Sequence, residues 1–185
     1  MPNLSSVESL LDYAIAPAGP ADAEELGRVH VRAWRETYPG LLPQAYLNRM
    51  SPKLHARRFH QELMRAKAGQ VTLVAESAEG AVGYAHAALL SGEGRSADAE
   101  VQTLYVLRSA QRAGVGRGLL SACARVMRAQ GAGSLMLFVL TGNEPARRFY
   151  ERLGGEAFAE VASHGWGEAV TETAYRWADI GVLAS

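Results

Sequence analysis

Apolar residues recur along this chain at two spacings, and the switch between them predicts which segments are helices and which are strands. Leu26, Val29, His30, Ala33 and Trp34 repeat every three to four positions, the stripe of a helix that buries one side. That helix is expected from about Asp22 to near Tyr38, because Pro39-Gly40 cannot continue it. Ser51-Pro52 pairs a capping hydroxyl with a proline whose missing N–H is not needed in a first turn. A second helix should run from there to about Ala68, with Gly69 just beyond. Val115, Leu119, Ala122, Cys123, Val126 and Met127 mark a third helix ending before Gly131, and a fourth is expected over about 144–153. Strand patterns occupy 13–16, then 71–75 and 81–89 joined by a turn at Glu79-Gly80, then 100–107, 156–163 and 172–178. Residues 134–140 are continuously apolar, as in a strand covered on both faces. The order predicts an α/β fold of the mixed-sheet (α+β) kind with a strand–helix–strand–helix centre. Residues 1–12 resemble an N-terminal extension, and a single domain is expected over 13–185, where no repeat or boundary interrupts the pattern.

Composition narrows the function classes. The 185 residues are 48% hydrophobic and 21% charged, an ordinary globular balance. Nineteen basic and nineteen acidic residues give a formal net charge of zero, so no long-range field draws the chain to nucleic acid or an anionic membrane. No apolar run approaches the roughly 18 residues of a membrane span. The first residues lack the basic and apolar segments of a signal peptide, and the lone Cys123 has no partner for an intrachain disulfide. Cytoplasmic location, with neither nucleic acid nor membrane as partner, is the expectation. His55, His60, His86 and His164 lack metal-ligand spacing, so no metal is expected.

The stretch richest in chemistry is 104–120, LYVLRSAQRAGVGRGLL. A strand leads into Gln111-Arg-Ala-Gly114-Val-Gly116, and a long amphipathic helix follows at once. The unpaired amides of a first helical turn, at the positive end of the helix dipole, suit an anion. Gly114 and Gly116 let a phosphate approach the backbone, and Arg112 and Arg117 add charge. On this stretch alone, a plain tight turn with solvated arginines explains the residues equally well. The stretch is neither a Walker loop nor a dinucleotide fingerprint, since the lysine of the first and the third glycine of the second are missing.

Gln111-x-x-Gly114-x-Gly116 after LYV resembles the coenzyme A pyrophosphate motif of the GNAT N-acetyltransferase superfamily. Asn143-x-x-Ala146-x-x-Phe149-Tyr150-x-x-Leu153-Gly154, just after the strand LMLFVL, resembles that superfamily's second motif. With the flanking strands the likeness spans about 13–178. It departs at Gly155, where the family usually has an aromatic residue, which bears on the start of the following strand. The resemblance implies a mixed, mostly antiparallel sheet, splayed at the cofactor site and flanked by helices on both faces. It also implies acetyl-CoA as co-substrate, a primary amine of a small molecule or peptide as acceptor, direct attack in a ternary complex, and a homodimer as a family expectation.

The roles that follow are carried over residue by residue. Tyr150 is the implied acid facing the thioester sulfur; without the motif it reads as a core tyrosine beside Phe149. Glu100, eleven residues before Gln111, is the implied base; the bland alternative is the solvated end of the polar loop 91–98. Backbone groups of Leu104, Tyr105, Val106 and Leu107 are expected on the pantetheine. Gln111, Arg112, Ala113, Gly114, Val115, Gly116 and Arg117 are expected around the diphosphate, and Asn143, Ala146 and Phe149 beside the cofactor. Asn143 also suits a helix cap ahead of Glu144-Pro145. Arg147, Arg148 and Arg152 are candidates for the ribose 3′-phosphate or simply solvated. In AWRETYPGLLP, Trp34 and Tyr38 are expected to wall the acceptor pocket, core packing being the equal alternative for Trp34. Trp166 is expected at a hairpin tip over the acceptor or against a second subunit. Cys123 is expected in the core. A competing class, an acyl-CoA sensor or interaction module without turnover, shares every one of these binding features. A nucleotide-binding protein using the same glycine turn is the third reading.

Overall fold

The computed structural model describes residues 12–164, 166 and 168–184; the expected N-terminal extension lies outside them except for Asp12. Among the described residues one sheet holds β1 (Tyr13–Pro17), β2 (Gln70–Ser77), β3 (Gly80–Leu89), β4 (Ala99–Val106), β5 (Leu135–Leu140), β6 (Glu156–Ser163) and β7 (Val170–Trp177). The spatial order is β1-β2-β3-β4-β5-β7-β6, antiparallel at every step but β4–β5. The helices are α1 (Ala23–Thr37), α2 (Gln44–Arg49), α3 (Pro52–Met64), α4 (Val115–Ala129), α5 (Glu144–Arg152) and α6 (Gly181–Ala184).

Alternation along the strands gives each sheet face its own core. Ala85, Ala87, Ala99, Val101, Leu135 and Leu137 meet Val115, Leu119, Cys123 and Met127 of α4. The small alanines of β3 let this helix lie close to the sheet. On the other face Val74, Ala81 and Tyr84 meet Leu26, Val29 and Ala33 of α1. Cys123 is fully buried, and burial pushes its thiol up to about 12, so it is a core residue.

The feature that makes a site possible is the β4–β5 pair. These parallel strands share only the rungs Ala99↔Leu135 and Glu100↔Met136, then separate while β4 continues to Val106 and β5 to Leu140. Their closed end is stapled. Asp98 Oδ2 accepts from Gly133 N at 3.0 Å, Ser134 N at 3.1 Å and Ser134 Oγ at 3.0 Å, and Ala99 N donates to Ser134 O at 3.2 Å. Beyond Glu100 the β5-facing backbone edge of β4 has no strand partner.

Two local features differ from the sequence pattern, and a third, Gly155, finds its reason in the packing. α3 stops at Met64 rather than Ala68; it buries no residue fully and Met64 is exposed, so nothing apolar holds a further turn. Gln44–Arg49 forms a helix too short for periodicity to reveal, pinned by the fully buried Leu47. Gly155 is explained by its neighbour: a Cβ there would lie 2.7 Å from Cζ2 of Trp177, whose Nε1 donates to Leu153 O at 2.8 Å. The indole of β7 occupies the space, and β6 starts at Glu156 as expected.

Candidate active site

The segment between β4 and α4 is shaped to leave amides free. Gln111 Nε2 donates back to Val106 O at 3.1 Å, folding the loop onto the strand end. Arg112 has φ 63°, a left-handed backbone costing a non-glycine residue about 1–2 kcal/mol, and Gly114, at the head of α4, has φ 85°. Non-glycine residues in this conformation gather at ligand clamps. No side chain caps α4, so its first-turn N–H groups keep the positive end of the helix open.

That helix end opens into a cavity of about 1200 Å³, room for a large ligand. Gln111, Arg112, Gly114, Gly116 and Arg117 border one end, with Arg148 and Arg152 of α5. Leu104, Tyr105, Val106, Asn143, Ala146, Phe149 and Tyr150 border its middle, in the splay. Trp34, Tyr38, Leu42, Glu100, Trp166 and Glu172 border the other end. Leu107, Ala113 and Val115 lie outside this wall: Leu107 packs under α1, and Ala113 and Val115 pack into the α4 core. Arg147 also lies outside it, donating to Tyr175 Oη and Thr141 O, each at 3.2 Å.

Tyr150 is 7% exposed, with its ring against Phe149, Tyr175 and Trp177. Among the described residues its hydroxyl has no hydrogen-bond partner, and it borders the cavity. Burial, then the nearby Tyr38, raises its pKa, so it stays a protonated donor. Asn143 serves two purposes: Oδ1 accepts from Ala146 N at 3.4 Å, capping α5, while the residue borders the cavity. Glu100 occupies the last β4–β5 rung and is half-buried; burial first, and then the charge of Glu172, raises its pKa.

Trp34 is at once core and wall. It is 9% exposed and packs with Val31, Leu42, Leu47 and Met50, yet borders the cavity among Tyr38, Tyr105 and Trp166 at ring separations of 4.9, 5.9 and 6.5 Å. Tyr38 Oη donates to Tyr105 Oη at 3.3 Å. Behind this wall His30 Nδ1 sits 2.6 Å from Tyr84 Oη; burial, then His55 and Arg58, push its pKa down to about 3, so the imidazole is neutral.

Sequence reasoning missed Glu172. It lies on β7 opposite Leu140, and its charge acts on both Glu100 and Tyr38. In TETAY it reads as the polar side of an edge strand; only the pairing of β7 beside β5 brings it to the cavity. Glu36 also borders the cavity, but its carboxylate takes Arg32 Nε at 2.9 Å and Arg108 N at 2.7 Å. Glu100 and Glu172 have no ion pair or side-chain hydrogen bond among the described residues. The cavity is therefore polarised: of its five arginines, Arg112, Arg117, Arg148 and Arg152 lie toward the α4 end and Arg108 is held to Glu36 O at 2.8 Å, while two carboxylates without ion pairs stand among aromatic rings at the other end. Among the described residues no group of three His, Cys, Asp or Glu gathers to hold a metal, and no helix is long and apolar enough to cross a membrane.

A splayed mixed sheet with an uncapped helix start at its mouth fits the acetyltransferase class, and the sequence agrees. The profile of the acetyltransferase (GNAT) family matches residues 30–155, and the chain belongs to that family. YuaI of Bacillus subtilis, described as an uncharacterized N-acetyltransferase, is 29% identical over 163 residues, 88% of this chain and 91% of that one. The fold is that of PaiA N-acetyltransferase from Thermoplasma acidophilum in complex with coenzyme A. That structure has a TM-score of 0.73 at 18% identity and covers 90% of this chain and 100% of its own. It is also that of yncA from Salmonella typhimurium with its cofactor acetyl-CoA, with a TM-score of 0.65 at 21% identity over 91% and 95% of the two chains.

Proposed function

We propose that this protein transfers the acetyl group of acetyl-CoA to a primary amine by direct attack, both substrates being held together in the splayed cavity. The observation that carries the reading is a pair of features bordering one cavity: the open, arginine-ringed start of α4 and the unpartnered hydroxyl of buried Tyr150. The α4 amides, Arg112 and Arg117 would hold the diphosphate, and the unpaired edge of β4 the amide-bearing arm. Bound acetyl-CoA supplies the acetyl group as a thioester.

An amine of pKa about 10.4 arrives as ammonium at neutral pH and is no nucleophile until it loses a proton. Glu100 accepts that proton, directly or through water. Burial, and then the charge of Glu172, raise its pKa, which makes it a stronger base than an exposed carboxylate. The freed nitrogen then attacks the thioester carbon, a C–N bond forms and the C–S bond breaks. The second proton leaves nitrogen and ends on sulfur. Tyr150 donates a hydrogen bond to that sulfur. Full transfer from a phenol of pKa about 10 to a thiolate of about 8.5 is already uphill by about 2 kcal/mol, and burial lifts the phenol further. The test is free-thiol release from acetyl-CoA across a panel of amines and peptides. Tyr150→Phe should lower kcat about 10²–10³-fold with little change in coenzyme A affinity. Tight coenzyme A binding with no transfer to any acceptor would instead favour the sensor reading.

A further inference from the structure

We propose that the acceptor is a linear diamine, and that Glu172 is the specificity residue that holds its non-reacting ammonium. The inference rests on the acetyl-transfer reading and deepens it.

Charge is unbalanced at the acceptor end of the cavity. In the acceptor end, Glu36 is already engaged by Arg32 and the Arg108 amide, and the Arg108 guanidinium is turned to the Glu36 carbonyl, whereas Glu100 and Glu172 make no ion pair among the described residues. Two carboxylates without ion pairs in one half-desolvated cavity call for two positive charges from the ligand. A monoamine brings one. Once its proton passes to Glu100, Glu172 is left facing a neutral ligand in a cavity walled by rings. A diamine enters as a dication, gives one proton to Glu100 and still pairs its second ammonium with Glu172. The site stays balanced before and after the proton moves. The atoms balance as in the reaction above: nitrogen loses two protons, one to Glu100 and one to sulfur, and the distal ammonium is unchanged.

The geometry agrees with an extended ligand. Glu100 stands beside Met136, at the closed end of the splay, and Glu172 beside Leu140, at the far end of β5. Four residues of strand separate those rungs, roughly 13 Å of backbone. Alternation puts Glu172 on the opposite face of β7 from Thr173 and the buried Tyr175, toward the Leu140–Trp34 cluster. Trp34 and Trp166 lie 6.5 Å apart at that end, and aromatic faces attract alkylammonium groups while covering the methylenes between them. Tyr150, nine-tenths buried with an unpartnered hydroxyl, marks the reacting end of the same cavity. One amine lies at the carbonyl and the other at Glu172, with an apolar chain between.

The experiment compares α,ω-diaminoalkanes of three to six carbons with n-alkylamines of matched length, using the wild-type enzyme, acetyl-CoA and thiol release. Diamines should exceed matched monoamines about tenfold or more in kcat/KM. Glu172→Gln should raise KM for the diamine about tenfold, hold kcat within a few-fold, and leave the monoamine within about threefold. Monoamines or peptides turned over as well as diamines by the wild type would overturn the inference and leave the acetyltransferase reading standing. Equal losses for both amines in Glu172→Gln would also overturn it. No transfer to any amine would overturn both.

Discussion

At the 111–117 end of the cavity the chain presents backbone; at the end walled by Trp34 and Glu172 it presents side chains. The first end is one contiguous turn whose amides, left-handed Arg112 and Gly114, and flanking arginines follow from a few adjacent residues. The second gathers α1, β4, β7 and the β6–β7 turn, residues up to 138 positions apart between Trp34 and Glu172. A ligand part common to a whole family can be held by main chain, which tolerates sequence change. The variable partner has to be read by side chains, which do not.

This contrast can be broken by mutation, and the largest effect should come from the side-chain end. Glu100→Gln should lower kcat about 10²–10⁴-fold while coenzyme A affinity, measured by calorimetry, stays within a few-fold. At the backbone end, Gly114→Val has to adopt φ 85° with a β-branched side chain. It should weaken coenzyme A binding about tenfold or more and leave the kcat of the saturated enzyme comparatively intact. Gln111→Ala removes the 3.1 Å tie to Val106 O without touching an amide, and should cost about fivefold in coenzyme A affinity.

The smallest effect sharpens the picture within the acceptor end. Because burial and the charge of Glu172 both raise the Glu100 pKa, the acid limb of kcat/KM should lie above the ordinary carboxylate range. Activity is present where Glu100 is ionised and is lost as pH falls through that raised value. Glu172→Gln removes the lesser of the two causes, so the limb should move to lower pH but not back to that of a solvated carboxylate. The pH profile should be taken with a monoamine. An unmoved limb would mean the two carboxylates do not interact.

The same contrast explains what was legible beforehand. Strands and long helices could be read because burial imposes its period locally, as in Leu26, Val29 and Ala33 or the unbroken run of β5. The Gly114 turn could be read because left-handed backbone and a helix start restrict adjacent residues. Trp34 was read as acceptor wall or core; the fold packs it into a core cluster on one side and sets it against the cavity on the other. Glu172 escaped because its significance depends on β7 inserting between β5 and β6, a long-range pairing with no local trace. α2 escaped for a related reason: six residues hold a helix only through tertiary contacts such as those of Leu47.

The two-rung union of β4 and β5 gives this sheet a raw edge at its centre. Such edges ordinarily sit at the margin of a protein, where they invite another chain to dock and seed aggregation. Here α1 and α5 flank the exposed rim and the Asp98 staple holds the two strands together at one end only, which leaves a slot suited to a thin, amide-bearing thread rather than to another strand. The liability of an unfinished sheet thus becomes the means of selecting its guest, and the amide hydrogens of Leu104 and Val106, which face away from β3, should exchange fast when the slot is empty and slow sharply once it is filled.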